Sequence, residues 1–305
     1  MILRPLFGCL LLATISAWAQ TPDTAPTTPI TKGQSIFPCH HSLFNGIQGN
    51  LAEVAKAGGY PDQVFVGESA IGGSKAIQHW NVPDATNQAK AALIGGKLDV
   101  MILTVLYLPD DGVENFAKLG FEHNPNVRIL VMEPWLPWDV YNPNTYVADY
   151  KPIPGEPPFM PKPAKVDHNA ATAAGLWKMH AYFFQAWNDK IEAINKELGR
   201  QVVFAEPVGH AEIALREKII EGQAPGIKTQ EELFADELGH PQAPLLALET
   251  YVHYAVIYRK SPIGLPIPSA LSGIPMDQRG PLNLLLQQLA WDAVIHHPLS
   301  GVRVP

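Results

Sequence analysis

The chain has 305 residues, 22 Lys+Arg against 29 Asp+Glu for a formal net charge of −7, and a composition that is 47% hydrophobic. This mild acidity, with no basic stripe, excludes a nucleic-acid-binding class. After the amino-terminal segment no apolar run is long enough to cross a bilayer.

Met1 to Ala19 reads as a secretory signal peptide, with one early charge at Arg4, an apolar run from Leu6 to Trp18, and the small-x-small site Ala17-Trp18-Ala19. Residues 20–33, rich in Thr and Pro, are expected to form a disordered leader. An exported protein, secreted or periplasmic, is the expectation. Of the two cysteines, Cys9 falls in the removed segment, so Cys39 alone remains and no internal disulfide can form. The fold must rest on its core. Residues 34–262 are expected to build one α/β domain, with residues 263–305 as a carboxyl-terminal extension packed on it.

Ser35 to Phe37 is a short apolar run that breaks at Pro38 into a turn holding Cys39, His40, His41 and Ser42, and a helix is predicted from about Gly49 to Ala57. Val64 to Val66 reads as a short strand, Gly67 to Ser74 as a flexible loop and Asp84 to Leu93 as a helix. Asp99 to Leu106 is the clearest strand, a continuous apolar run of the kind found where a parallel sheet is covered on both faces. Asp110 or Asp111 can cap the next helix, which Asn124-Pro125 ends. Val127 to Met132 and Val202 to Phe204 are further strands. Between them lies the longest helix: Leu176, Met179, Phe183, Trp187, Ile191, Ile194 and Leu198 recur at spacings of three and four, and Gly199 supplies a C-cap. Helices near Glu212 to Glu221, Leu245 to Tyr258 and Leu282 to Ile295 complete the series, and the proline-rich Lys151 to Lys165 reads as a stiff surface excursion. Alternating strands and helices imply a mostly parallel sheet with helices on both faces and right-handed crossovers. Val100 to Leu106 should be interior, with Val127 to Met132 beside it or one strand removed.

Open α/β sheets carry their chemistry at the carboxyl ends of the strands, where Ser42 falls. A helix start there offers N–H groups to a developing anion. A nucleophilic serine needs a base and a group that orients it, and Asp236 with His240 in Phe234-Ala235-Asp236-Glu237-Leu238-Gly239-His240-Pro241 provides both residue types. Each residue also has a plainer use: Ser42 as a helix cap, His240 in a surface turn, Asp236 as a solvated acid. Gly72-Gly73 can be a turn alone. His79-Trp80 reads first as a packed pair and second as a stacking surface, and Trp135 and Trp138, after a strand end, can line a sugar site or pack. His123 fits a helix dipole, and His296-His297 the surface of the tail.

His41-Ser42 after a first strand, a Gly-Gly-Ser loop followed by His79-Trp80, the hydrophobic strand Val100 to Leu106 and a late Asp236…His240-Pro241 together resemble the SGNH (GDSL-like) hydrolase superfamily, in its secreted bacterial branch. The resemblance spans roughly Ser35 to Pro262. It implies a flavodoxin-like three-layer α/β/α fold and hydrolysis of acyl esters, acetyl among them, often on carbohydrates, with no cofactor and no metal. By position Ser42 would be the nucleophile, His240 the base and Asp236 its orienting acid. Backbone N–H groups of Ser42 and of Gly72 or Gly73 would face the oxyanion with Thr104 nearby, and His41, His79 and Trp135 would lie against the substrate. Three departures stand out. His40-His41-Ser42 replaces Gly-Asp-Ser or Gly-Asn-Ser, no asparagine occurs from Thr104 to Asp111, and Asp236 and His240 stand four apart where three is usual. Two rivals follow. One is a metal-dependent enzyme using Cys39, His40, His41, Asp236 and His240, which no His-x-His or Cys-x-x-Cys spacing supports. The other is a non-catalytic glycan-binding protein on the same fold.

Overall fold

The structure, a computed structural model, describes residues 27–140 and 164–304. The expected signal peptide and nearly all of the proline-rich stretch Lys151 to Lys165 lie outside these residues.

Six strands form one sheet: β1 (Ser35–His40), β2 (Val64–Phe65), β3 (Ser69–Ala70), β4 (Val100–Thr104), β5 (Arg128–Met132) and β6 (Val203–Glu206). Their order is β2-β1-β4-β5-β6, with β3 also on β1, and every pairing is parallel. If β2 and β3 are counted as one interrupted edge, this is the flavodoxin-like order. β4 is interior and β5 is its direct neighbour. Pro38 is tolerated inside β1 because carbonyls of even-numbered residues face the edge, as Ile36 O does toward Val66 N (3.0 Å) and His40 O toward Ile71 N (3.0 Å). Its missing N–H therefore falls at the break between β2 and β3, where no ladder bond is lost.

The helices are α1 (Ile47–Ala57), α2 (Ala76–Trp80), α3 (Gln88–Ile94), α4 (Gly112–His123), α5 (Ala173–Leu198), α6 (Val208–Ile220), α7 (Ala243–Tyr258) and α8 (Met276–His296). Alternate strand residues divide the core, as a period of two requires. Ile36, Val100, Ile102, Leu130 and Met132 pack with α1, α6, α7 and α8. Phe37, Cys39, Met101, Leu103, Ile129 and Val131 pack with α3, α4 and α5. The result is three layers.

α7 is buried on every side and largely apolar, with Glu249 and His253 as its charged residues. α8 encloses it with Leu282, Leu286, Ala290 and Val294, so the expected extension is a full part of one helical layer. The described end of the leader is likewise fixed: Thr27 N donates to Arg303 O (3.0 Å) and Ile30 N to Tyr258 O (2.9 Å). The predicted helix Asp84 to Leu93 divides at Asn87, whose side chain accepts the Lys90 N–H (3.0 Å) and starts α3 after a single turn at Asp84–Thr86. No helix among the described residues is long and apolar enough to cross a membrane.

Candidate active site

Directly after β1 the chain makes one tight turn, Ser42–Phe44. His41 builds it. Its backbone N–H donates to Thr104 Oγ1 (2.8 Å), its Nδ1 accepts the Leu43 N–H (3.3 Å) and its Nε2 faces Val105 O (3.4 Å). With Nδ1 accepting, Nε2 carries the proton. Burial lowers the pKa of this ring to about 4, so it is neutral in use. The capping role is thus filled by His41, which leaves the partly exposed Ser42 hydroxyl free for another partner.

That partner arrives from 198 residues away: His240 Nε2 lies 2.8 Å from Ser42 Oγ. His240 Nδ1 lies 2.6 Å from Asp236 Oδ2. The other carboxylate oxygen of Asp236 accepts the N–H groups of Leu238 (3.1 Å), Gly239 (3.2 Å) and His240 (3.3 Å). Partial burial acts to raise the Asp236 pKa, but the hydrogen bonds from His240 and Gly239 outweigh it and the carboxyl titrates lower than usual. An ionised Asp236 fixes the proton on Nδ1 and leaves the Nε2 lone pair for the serine O–H. The added residue between Asp236 and His240 is absorbed at Gly239, whose φ of 105° is open to glycine. A short antiparallel bridge, Phe234 to Pro241, closes the loop, with Ala235 N donating to His240 O (2.7 Å).

The segment leaving β5 holds this loop from behind. Trp135 Nε1 donates to Gly239 O (3.0 Å), and Trp138 N to Leu238 O (2.9 Å). Asp139 anchors the segment in turn, gripped by both Arg216 terminal nitrogens (2.6 and 2.7 Å) and by His168 Nδ1 (2.9 Å). Trp135 is only 1% exposed. The expectation that it touches substrate is corrected: it is buried and its indole N–H is spent on the Asp236–His240 loop. Trp135→Phe removes that bond at a cost of about 1 kcal/mol in urea unfolding. If the His240 loop acts in catalysis, loosening it should lower kcat between about 10- and 100-fold while KM stays near its original value. An unchanged kcat would show that the indole does not position the loop.

On the other side of Ser42, the β1–β3 register sets Ala70 opposite His40, and Ile71 N donates to His40 O (3.0 Å). The turn holding Gly72 and Gly73 therefore begins level with the end of β1. Among the described residues the backbone N–H groups of Ser42, Gly72 and Gly73 have no protein acceptor. His79, expected near substrate, is fully buried between Ser69 Oγ and Ser74 Oγ, both at 2.7 Å, and so ties the two ends of the glycine loop together. Burial keeps it neutral, with a pKa of about 3. His41 is likewise buried, with both ring nitrogens facing backbone groups. Thr104 is corrected too: its hydroxyl lies within the core and accepts the His41 N–H, so it supports the turn. Asp110 is buried and accepts the N–H groups of Ala76 (2.8 Å), Ile77 (2.9 Å) and Gly112 (3.0 Å), which joins α2 to α4. The donors left for an anion are backbone N–H groups.

The five residues of the metal-dependent rival do not converge. Cys39 points into the opposite core, where burial pushes its thiol pKa up, and His40 is held between His41 O (3.0 Å) and Glu68 (3.2 Å). Among the described residues a different group has metal-ligand geometry: Glu133, His210 and His297. His297, expected on the surface, is buried. No sequence spacing signals this group, because its members come from three separate elements. Compared with known proteins, the chain matches no family model and no curated sequence.

Proposed function

We propose that the chain is a serine esterase of the SGNH type, exported from the cell, that hydrolyses short acyl esters, acetyl among them, on carbohydrates or similar alcohols. One observation carries the reading: Ser42 Oγ, His240 and Asp236 form a continuous chain at 2.8 and 2.6 Å at the carboxyl end of β1. Ser42 attacks the ester carbonyl as His240 takes its proton, and Asp236 keeps the imidazole in the required tautomer. The oxyanion meets the N–H groups of Ser42 and of the Gly72-Gly73 loop, each such donor worth about 3 kcal/mol of barrier. His240 then returns the proton to the leaving alcohol, and water, activated by the same base, releases the acid. The partial exposure of His240 and Asp236, 31% and 50%, supports a substrate whose ester is reached at a surface.

A fluorophosphonate probe tests this directly. Intact protein should gain one phosphonyl group, mapped to the peptide holding Ser42, with loss of activity on aryl acetates in step. A folded protein that stays unlabelled, or that labels elsewhere, refutes the assignment.

A further inference from the structure

Glu133 follows β5, His210 lies in the first turn of α6, and His297 follows the end of α8. Glu133 is 0% exposed, yet among the described residues neither of its carboxylate oxygens has a hydrogen-bond partner. Nδ1 of His210 and Nε2 of His297 are buried without a partner as well. These atoms face one another. Glu133 Oε2 stands 3.6 Å from His297 Nε2 and 4.0 Å from His210 Nδ1, and one ligand atom from each residue lies within 4.8 Å of the others. The separations are too long for hydrogen bonds. An unpaired carboxylate inside a protein is strongly unfavourable. Protonating it, which burial favours, would still leave both imidazole nitrogens without partners.

A single cation satisfies all three atoms at once. Ligands about 2.0–2.2 Å from a tetrahedral zinc stand roughly 3.3–3.6 Å from each other, so the two glutamate separations of 3.6 and 4.0 Å need to shorten by at most about 0.7 Å, and the histidine pair, within 4.8 Å, closes around the ion by a larger ring shift. Its rings are already oriented: His210 stacks on Phe184 with centroids 3.8 Å apart and meets His297 edge to face at 5.2 Å. Both histidines also line a cavity of about 360 Å³ shared with Trp177, Glu217 and Asp292.

We propose that Glu133, His210 and His297 form a zinc site, with three protein ligands and a fourth position open to this cavity. Two histidines and one glutamate are a ligand set of the open, catalytic kind. The fourth ligand is a water or a donor atom of a molecule in the cavity. His297 Nδ1 accepts the Leu299 N–H at 3.2 Å. On metal binding that nitrogen takes the ring proton and the part-buried Leu299 N–H turns to solvent. One long hydrogen bond is exchanged for three coordinate bonds. The site shares no residue with Ser42, Asp236 or His240, and it stands whether or not the esterase reading does.

The test is titration of chelator-stripped protein with Co²⁺ alone and with Zn²⁺ alone. About one equivalent of Co²⁺ should bind with the intense visible bands of four-coordinate cobalt, and Zn²⁺ should abolish them. Glu133→Gln, His210→Ala and His297→Ala should each weaken binding at least 100-fold and remove the rise in thermal midpoint that Zn²⁺ gives the parent, while Ser42→Ala keeps both. Absence of the bands, or bands that persist in all three variants, overturns the proposal. Anomalous scattering at the zinc edge from crystals of the parent protein decides the matter without variants. A peak between the three side chains supports the site, and peaks only elsewhere, or none, refute it.

Discussion

Ser42→Ala lowers ester turnover by on the order of 10⁴-fold or more and leaves the fold intact. The activity loss is large because the triad acts as a unit: without Oγ, His240 and Asp236 have no nucleophile to activate. The stability change is small for a structural reason. The turn is held by His41, through its bonds with Thr104 and Leu43, and Ser42 contributes only its contact with His240. A partly exposed side chain outside such a network shifts unfolding by about 0.5 kcal/mol or less. The measurement pairs kcat/KM on an aryl acetate with urea unfolding of the same preparation. Residual catalysis comes from the oxyanion donors and substrate binding. A variant that keeps most of its activity would assign the hydrolysis to another residue and reduce Ser42 to a surface position.

Much of the layer plan was legible because it is written in local periods. β4 is a continuous apolar run since both its faces are covered, and α5 shows a clean apolar stripe closed by Gly199 at φ 71°. α7 has no stripe to read, because α8 encloses it, and that relation exists only in three dimensions. The same limit governs the site. The order Ser42…Asp236…His240 could be taken from the chain. Whether a polar residue beside them faces outward or inward could not. His41 is drawn in by Thr104 and Val105, His79 by Ser69 and Ser74, and Trp135 by Gly239 O. Every one of those partners lies outside the residue's own helix or turn. Glu133, His210 and His297 are the extreme case, three residues brought together by a strand end, a helix start and a helix end.

Beneath the Ser42 turn, the fold depends on a second buried charge group, and its removal is expected to cost about 3–5 kcal/mol. His253 on α7 is fully buried, with Nδ1 2.9 Å from Glu206 Oε1 of β6 and Nε2 3.6 Å from Glu249 Oε1 one turn back. The approaches are not aligned as hydrogen bonds, so the attraction is chiefly between charges. Phe44, two residues after Ser42, sits edge-on to the same ring at 5.2 Å. Burial alone would lower the His253 pKa, but the two glutamates prevail and raise it to about 9. Burial raises Glu249 to about 7 against the pull of His253. A histidine whose pKa is raised by folding gives stability that is complete below its unfolded value, near 6.5, and disappears as pH climbs through about 9. Stability attributable to His253 therefore falls between pH 6.5 and 9. In His253→Leu that contribution is lost in full at pH 6.5 and below, and the two buried carboxylates, left without a cation, titrate higher than in the parent. Urea unfolding of parent and variant from pH 6 to 9 reads the difference between the two curves, which cancels titrations outside the His253, Glu206 and Glu249 group. Should His253→Leu fail to fold, Glu206→Gln keeps the ring and still flattens the slope. Equal stabilities at pH 7, or parallel curves across the range, would mean that the imidazole is neutral in the native protein and that the group contributes packing alone.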